Sequence, residues 1–600
     1  MFTADTIAAL RSRVEAAAGI ALPYAVHVTS GPGLSVRLED GAAHIAAEDK
    51  SALARGFFRL CRCVREGRKT LDIRESRRFP ACGAMADVSR NAVLKPEAVR
   101  RYIDQLASLG LNLLMLYTED TYEVPGHPYM GYLRGRYTKQ ELRDIDAYAE
   151  SMGVELVPCI QTLGHMAQYL QWDEAAPLRD QWDILLIDSE ETYAFIEAQI
   201  RSMRDCMHTS RIHIGMDEAH GVGFGNYFLR HGATDRFELL RRHLDRVVAI
   251  CERYGFRPIM WSDMFFRLGS KTNDYYDPEA VVPQEIIDRL PAVDLCYWDY
   301  YHKDEAFFNG MLAGHQRMGR ETVFAGGIWT WGGFLPHVKQ TEASMRPALR
   351  ACLARGVKTV FATLWGDDGA ETNLFLASSM LPMFSEVCWQ GETEDLEREI
   401  ALSGECLTGL PDEALHAMGE FFADGDRGIA GKHLVWGDIL LPLLYDEGDP
   451  FGEAQRRMRG ALPVLRQHEE RLDCRYAARL MELCARKAEL MGSLRARYLA
   501  ADRAYLAAVA NEAIPALLSL YDELLGLHRR LWERDMRRFG WEVIALRYGA
   551  ATGRLRDVQD ELARYLSGEL ETIEELDAAP LPAARTDRRF RSLITSTVDY

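Results

Sequence analysis

The chain has 600 residues, 48% hydrophobic and 27% charged, a balance that suits a folded globular protein and excludes a wholly disordered one. At roughly 100–200 residues per domain, this length calls for several domains, fewer where one of them is a barrel. Lys and Arg number 71 against 89 Asp and Glu, a formal charge of −18 that a phosphate backbone would repel, so no nucleic-acid partner is expected.

The first residues, MFTADTIAALRSRVEAAAGIALPYAV, lack a basic stretch followed by a long apolar one, since Asp5, Arg11, Arg13 and Glu15 interrupt them early. No signal peptide is read there, and a cytoplasmic location is expected. No run of 18 uncharged apolar residues occurs, so no membrane-spanning helix is expected. The twelve Cys are scattered, with only Cys61 and Cys63 close together and no CxxC pair. Buried, reduced thiols fit this better than a zinc site or a disulfide framework. Neither a metal nor another cofactor is expected.

Residues 1–75 predict a small α/β domain. Strands at 25–30 and 34–40 flank the turn Gly31-Pro32-Gly33, AAHIAAED follows as a third strand, and SALARGFFRLCRCVREG reads as a helix. From about residue 80, eight short β-rich runs appear, at 81–89, 111–120, 154–165, 211–220, 256–265, 293–301, 322–331 and 358–369. Helical segments separate most of them. KPEAVRRYIDQLASLG has Pro96 near its start and Gly110 at its end, and Thr138 with Glu141 forms a capping box ahead of another. Eight strands alternating with helices over about 300 residues predict a TIM (β/α)8 barrel, placed at 76–395. An open doubly wound sheet alternates similarly, but the glycine fingerprint after its first strand is absent. Residues 396–600 predict an α-helical domain, rich in Ala, Leu, Arg and Glu from Glu453 to about Glu575, with Leu472, Leu480, Leu483 and Leu490 as core candidates. The aromatic, glycine-punctuated segment RRFGWEVIALRYG (537–549) is expected to dock on the barrel or on a partner subunit, and a homodimer through the helical region is a further expectation.

Nearly every β-rich run ends in polar or aromatic residues, the end of a TIM barrel at which active sites are built. Asp217-Glu218 follows the apolar strand IHIGM. A bare Asp-Glu pair is usually solvated helix surface. At the mouth of a barrel strand, however, two carboxylates are close enough for their surroundings to keep one protonated and the other ionised. Trp261, Trp298, Trp329, Trp331 and Trp365 all lie near strand ends, offering flat walls for the apolar face of a sugar ring. Arg90, Asp299, Asp367, Asp368 and Glu371 beside them are candidate clamps for hydroxyl groups. Acidic pair, Trp walls and polar clamps together point to glycoside chemistry. Two alternatives stay open: a non-catalytic amino-sugar-binding protein on the same barrel, and a metal-dependent barrel hydrolase drawing on His165, His213, Asp217 and His220.

HIGMDEAHGVG resembles the catalytic signature of glycoside hydrolase family 20, the β-N-acetylhexosaminidases. GAMADVSRN resembles that family's first barrel strand, QTLGH its Gly-His loop, and WGDDGAETN the end of its last strand; the helical region with its GWEV segment resembles a bacterial branch. Gln161-Thr162-Leu163 departs from the Asp and Pro that many members carry before Gly-His. The resemblance implies an exo-acting enzyme that removes terminal β-linked N-acetylglucosamine or N-acetylgalactosamine from an oligosaccharide or glycoconjugate, with retention and through the substrate's own acetamido group. It implies Glu218 as general acid and base, Asp217 as the group orienting the acetamide, and Arg90 and Asp367 on sugar hydroxyls. Trp261, Trp298 and Trp365 become pocket walls, and His165 is paired with Glu119 or Asp120. For the tyrosine on the acetamide oxygen, strand alternation from Trp298 favours Tyr300, with Tyr297 and Tyr301 as alternatives.

Overall fold

The computed structural model describes residues 2–423, 429–443, 449–581 and 589–595, so parts of the predicted 396–600 helical region lie outside the described residues. The N-terminal unit is a four-stranded sheet of β1 (Ala25–Ser30), β2 (Leu34–Glu39), β3 (Ala42–Ala47) and β4 (Leu71–Glu75) in the order β1-β3-β2-β4. Leu34, Val36 and Leu38 alternate inward along β2 beneath the helix Lys50–Arg65. The helix Ala4–Ala18 and β4, which carry no motif, complete the unit.

Helix Lys50–Arg65 is buried on almost every side, Arg55, Arg59 and Arg62 included. One face covers the small sheet and the other meets the barrel domain, where its arginines form buried ion pairs beside the apolar contacts. Arg55 pairs with Glu75 at 2.6 Å and with Glu386 at 2.5 Å, and Arg59 reaches Glu386 at 2.9 Å. Each charge here has a partner, which burial requires.

The eight predicted runs each supply one barrel strand: β5 (Ala81–Asp87), β6 (Leu113–Tyr117), β7 (Glu155–Cys159), β8 (Arg211–His213), β9 (Arg257–Trp261), β10 (Asp294–Trp298), β11 (Thr322–Gly327) and β12 (Thr359–Leu364). Neighbours are parallel and β12 pairs back onto β5, so the sheet is a closed barrel and not an open one. Met115, Val157, Ile259, Val323 and Phe361 fill its interior. The strands stop well short of the ends of the predicted runs. His165, Met216 and Glu218 have φ of 54°, 75° and 49°, a left-handed conformation that no strand can continue. Thr138 and Glu141 form their reciprocal capping box at the helix Lys139–Met152.

Helices Pro450–Arg466, Leu472–Leu499, Ile514–Asp535 and Trp541–Ser567 pack as a bundle. Leu480, Leu483 and Leu490 are buried, while Leu472 is half-buried against the core. The helical stretch Arg503–Asp535 is long and apolar enough by composition to cross a membrane; its Leu517, Leu524 and Leu531 are buried in the bundle. The 537–549 segment docks on the barrel of its own chain. Asn91 Nδ2 donates to the Gly540 carbonyl at 2.8 Å and the Arg537 N–H donates to the Val93 carbonyl at 2.8 Å. Gly540 has φ +90°, and a Cβ there would lie 2.3 Å from the Asn91 carbonyl oxygen, so only glycine fits this approach. All twelve cysteines are buried and unpaired.

Candidate active site

A pocket opens at the C-terminal ends of the barrel strands. Arg90, His165, Asp217, Glu218, Trp261, Trp298, Tyr300, Tyr301, Trp331, Trp365 and Asp367 line it. Asp87 ties two of the loops that build it: one carboxylate oxygen accepts the Ser89 N–H at 2.9 Å, the other the Gly366 N–H at 2.9 Å.

The acidic pair is bridged by one imidazole. His165 Nε2 lies 3.1 Å from Asp217 Oδ2 and 3.5 Å from Glu218 Oε2. Gln161 Nε2 donates to the other oxygen of Asp217 at 2.8 Å. Burial alone would raise the pKa of Asp217, but charged His165 and the Gln161 amide outweigh it and hold the carboxyl below its ordinary value. Burial also opposes a charged imidazole, and Asp217 reverses this, so His165 is pushed up to about 9. Glu218 has no such donor on its side chain; burial, with Asp217 adding to it, raises its pKa despite His165. The pKa values of the two adjacent carboxyl groups are thus shifted in opposite directions. Asp263, at the end of β9, accepts the Glu218 N–H at 2.9 Å and holds the strained backbone that turns Glu218 into the pocket.

The walls are aromatic. Trp261 and Trp365 lie 6.2 Å apart between ring centres, Trp298 stacks on Tyr300 at 5.4 Å, and Tyr300 meets Trp331 edge-on at 5.2 Å. The Tyr300 carbonyl accepts hydrogen bonds from Trp329 Nε1 at 3.0 Å and Gln340 Nε2 at 2.9 Å, which pins that loop. Tyr297 points away, hydrogen-bonded to Asp299 at 2.8 Å. Arg90 donates to Glu119 at 2.6 Å and to Asp367 at 2.5 Å, holding Asp367 at the rim.

The profile described as Glycosyl hydrolase family 20, catalytic domain, matches residues 79–282, and that of the Glycoside Hydrolase 20C C-terminal domain matches residues 426–594. The chain belongs to glycoside hydrolase family 20. It is 28% identical over 202 residues to Hexosaminidase D of Bos taurus, covering 32% of this chain and 55% of that protein. Against Beta-hexosaminidase 1 of Coccidioides posadasii it is 24% identical over 292 residues, covering 42% of this chain and 48% of that one. The chain thus spans about half the length of these relatives. Among solved structures, the GH20 exo beta-N-acetylglucosaminidase of Vibrio harveyi superposes with a TM-score of 0.49 at 17% identity, covering 68% of this chain and 73% of that one. The GH20 beta-N-acetylhexosaminidase of Streptomyces coelicolor A3(2) gives 0.49 at 18%, covering 68% and 90%.

In this family 20 chain, several residues read as contacts sit elsewhere. Glu119 lies behind Arg90, and Asp120 is turned to Arg134 at 3.3 Å, so neither pairs with His165, whose carboxylate partner is Asp217. Trp329 stacks behind Trp331 at 4.5 Å, leaving Trp331 as the wall. Asp299 is spent on Tyr297 and His302. Asp368 and Glu371 leave the pocket altogether and bind Arg547 and Lys432 of the helical region. His213 is buried beneath Trp261, and His220 faces Tyr275; among the described residues no three His, Cys, Asp or Glu converge as a metal site. Gln161 and Asp263 are the functional residues that residue type did not reveal. The departure at Gln161-Thr162-Leu163 from the Asp and Pro that many members carry was the signal available for the first.

Proposed function

We propose that the chain is an exo-acting β-N-acetylhexosaminidase that releases terminal non-reducing β-linked N-acetylglucosamine or N-acetylgalactosamine with retained configuration, using the substrate's acetamido group as nucleophile. The observation that carries this reading is the single imidazole of His165 beside both Asp217 and Glu218, with the pKa of Asp217 held down and that of Glu218 raised. Glu218 gives its proton to the glycosidic oxygen as the C1–O bond breaks. The acetamido oxygen forms a bond to C1 and closes an oxazolinium ring. Asp217 accepts the acetamido N–H and offsets the positive charge growing on that nitrogen, while the Tyr300 hydroxyl donates to the acetamido oxygen. Water then attacks C1, gives a proton to Glu218 and restores the acetamide. Trp261, Trp331 and Trp365 support the sugar ring, with Arg90 and Asp367 on its hydroxyls.

Hydrolysis of an aryl β-N-acetylglucosaminide beside the matching aryl β-glucoside tests this. Turnover of the first alone, lost in Glu218→Gln, is expected. Turnover of both would point to an enzyme nucleophile, and binding without turnover to an amino-sugar-binding protein. A cytoplasmic location is part of the proposal, supported by twelve unpaired buried thiols and tested by cell fractionation. So is a homodimer through the helical region, supported by the exposed Phe539 and Leu546 and tested by light scattering.

A further inference from the structure

The pocket wall continues beyond Trp298 onto side chains that the proposed reaction does not use. The Tyr275 ring lies 5.6 Å from that of Trp298 and stacks on His220 at 5.6 Å, with its hydroxyl 2.6 Å from His220 Nε2. His220 is two residues beyond Glu218, the group that protonates the leaving oxygen, so this surface borders the side from which the leaving group departs. Phe224, 61% exposed, follows on the same loop.

Two guanidinium groups roof these rings. Arg267 stands 5.1 Å over Tyr275, and Arg236 stands 5.1 Å over Phe224 while donating to the His220 carbonyl at 2.6 Å. Neither has a carboxylate at ion-pair distance among the described residues, and Arg236 Nε is buried without a hydrogen-bond partner. On the same helix as Arg236, the side chains of Arg241, Arg242 and Arg246 are each paired with a carboxylate. The two guanidinium groups are close neighbours: after burial, Arg267 is what depresses the pKa of Arg236. In a chain of formal charge −18, these two guanidinium groups without a carboxylate partner make a local positive patch beside the pocket, which attracts anions.

We propose that Arg236 and Arg267, with His220, Tyr275 and Phe224, form a leaving-group subsite that takes an anionic sugar, carboxylated or sulfated, on the reducing side of the bond cut. This rests on the hexosaminidase reading above. The aromatic faces support the ring of that sugar, and the planar guanidinium forks match its acidic group. The neutral pocket walls then select the amino sugar and the cationic rim selects what it is attached to.

The test compares kcat/KM of the full chain on 4-carboxyphenyl, 4-sulfophenyl and 4-carbamoylphenyl β-N-acetylglucosaminides, the last being the neutral control. A preference for the charged leaving groups is expected, falling as salt rises. In the Arg236→Gln/Arg267→Gln double variant the anionic-to-neutral ratio is expected to drop about tenfold, the worth of a charge-assisted hydrogen bond. The ratio for the carboxyl against the sulfonate says which acid the forks fit. A ratio that is insensitive to salt and unchanged in the double variant overturns the subsite and leaves the hexosaminidase standing. No turnover of any of the three overturns the hexosaminidase reading and the subsite with it.

Discussion

Gln161 Nε2 donates to Asp217 Oδ1 at 2.8 Å, and the amide oxygen of the same side chain accepts the Met216 N–H at 3.2 Å. One side chain thereby fixes both the carboxylate and the left-handed turn that delivers it. Its amide donates without having a titratable proton to share, so Asp217 stays ionised when it must meet the acetamido N–H.

Gln161→Glu puts a second carboxyl group against Asp217, and one of the two must then keep a proton. The acid limb of the kcat/KM profile is expected to move to higher pH. At neutral pH kcat is expected to fall roughly tenfold or more, from the loss of a charged hydrogen bond of about 1.5–3 kcal/mol. An acid limb that stays in place would show that Gln161 does not control Asp217.

The opposite settings of the acidic pair predict a bell-shaped pH profile. Asp217 acts when ionised and its pKa is depressed, so activity is lost as pH falls through that value. Glu218 acts first when protonated and its pKa is raised, so activity is lost as pH rises through it. Glu218→Gln is expected to remove the basic limb and to cost about 10²–10⁴ in rate. The loss should shrink for aryl leaving groups that depart readily without a proton, a series that stopped-flow or steady-state assays can read directly.

Glu386, fully buried between Arg55 and Arg59, should stabilise the junction of the small domain with the barrel. Its pKa is far depressed: burial would raise it, and Arg55, Arg59 and Arg62 more than reverse that. The stabilisation is therefore complete above the carboxyl's unfolded pKa of about 4.3 and fades as pH falls towards the folded value. Glu386→Gln is expected to cost about 3–5 kcal/mol near neutrality, because it leaves buried guanidinium charge unpaired. Denaturant melts should show this deficit narrowing below about pH 4.

Arg547 links the helical region to the pocket. It donates to Glu371 at 2.6 Å and to Asp368 at 2.8 Å, and Asp368 adjoins Asp367, which holds Arg90. Arg547→Met leaves two acidic side chains short of a cation and is expected to lower stability by about 2–4 kcal/mol. KM should rise by a larger factor than kcat falls, since the displaced loop binds sugar and does not touch the reacting bond. A KM equal to that of the unaltered chain would separate the bundle from the pocket.

The barrel was legible because its signal is local. A buried parallel strand is a short apolar run, each run here is followed by helix-compatible sequence, and eight such runs leave little room for another closed architecture. The adjacency of Asp217 and Glu218 is equally a property of the chain itself. Beyond the strand ends, local periodicity stops carrying information. His165, Met216 and Glu218 turn through positive φ, and there a side chain's direction depends on what arrives from far along the chain. Glu119, Asp120, Trp329 and Glu371 all lie at or just beyond the ends of β-rich runs as the pocket residues do, yet Arg90, Arg134, Trp331 and Arg547 draw them into supporting layers. The sequence by itself determined the barrel, its acidic pair and the kinds of residue at its mouth. Only the tertiary structure decided which of them face the sugar, because burial, stacking and ion pairing among the folded loops set those directions.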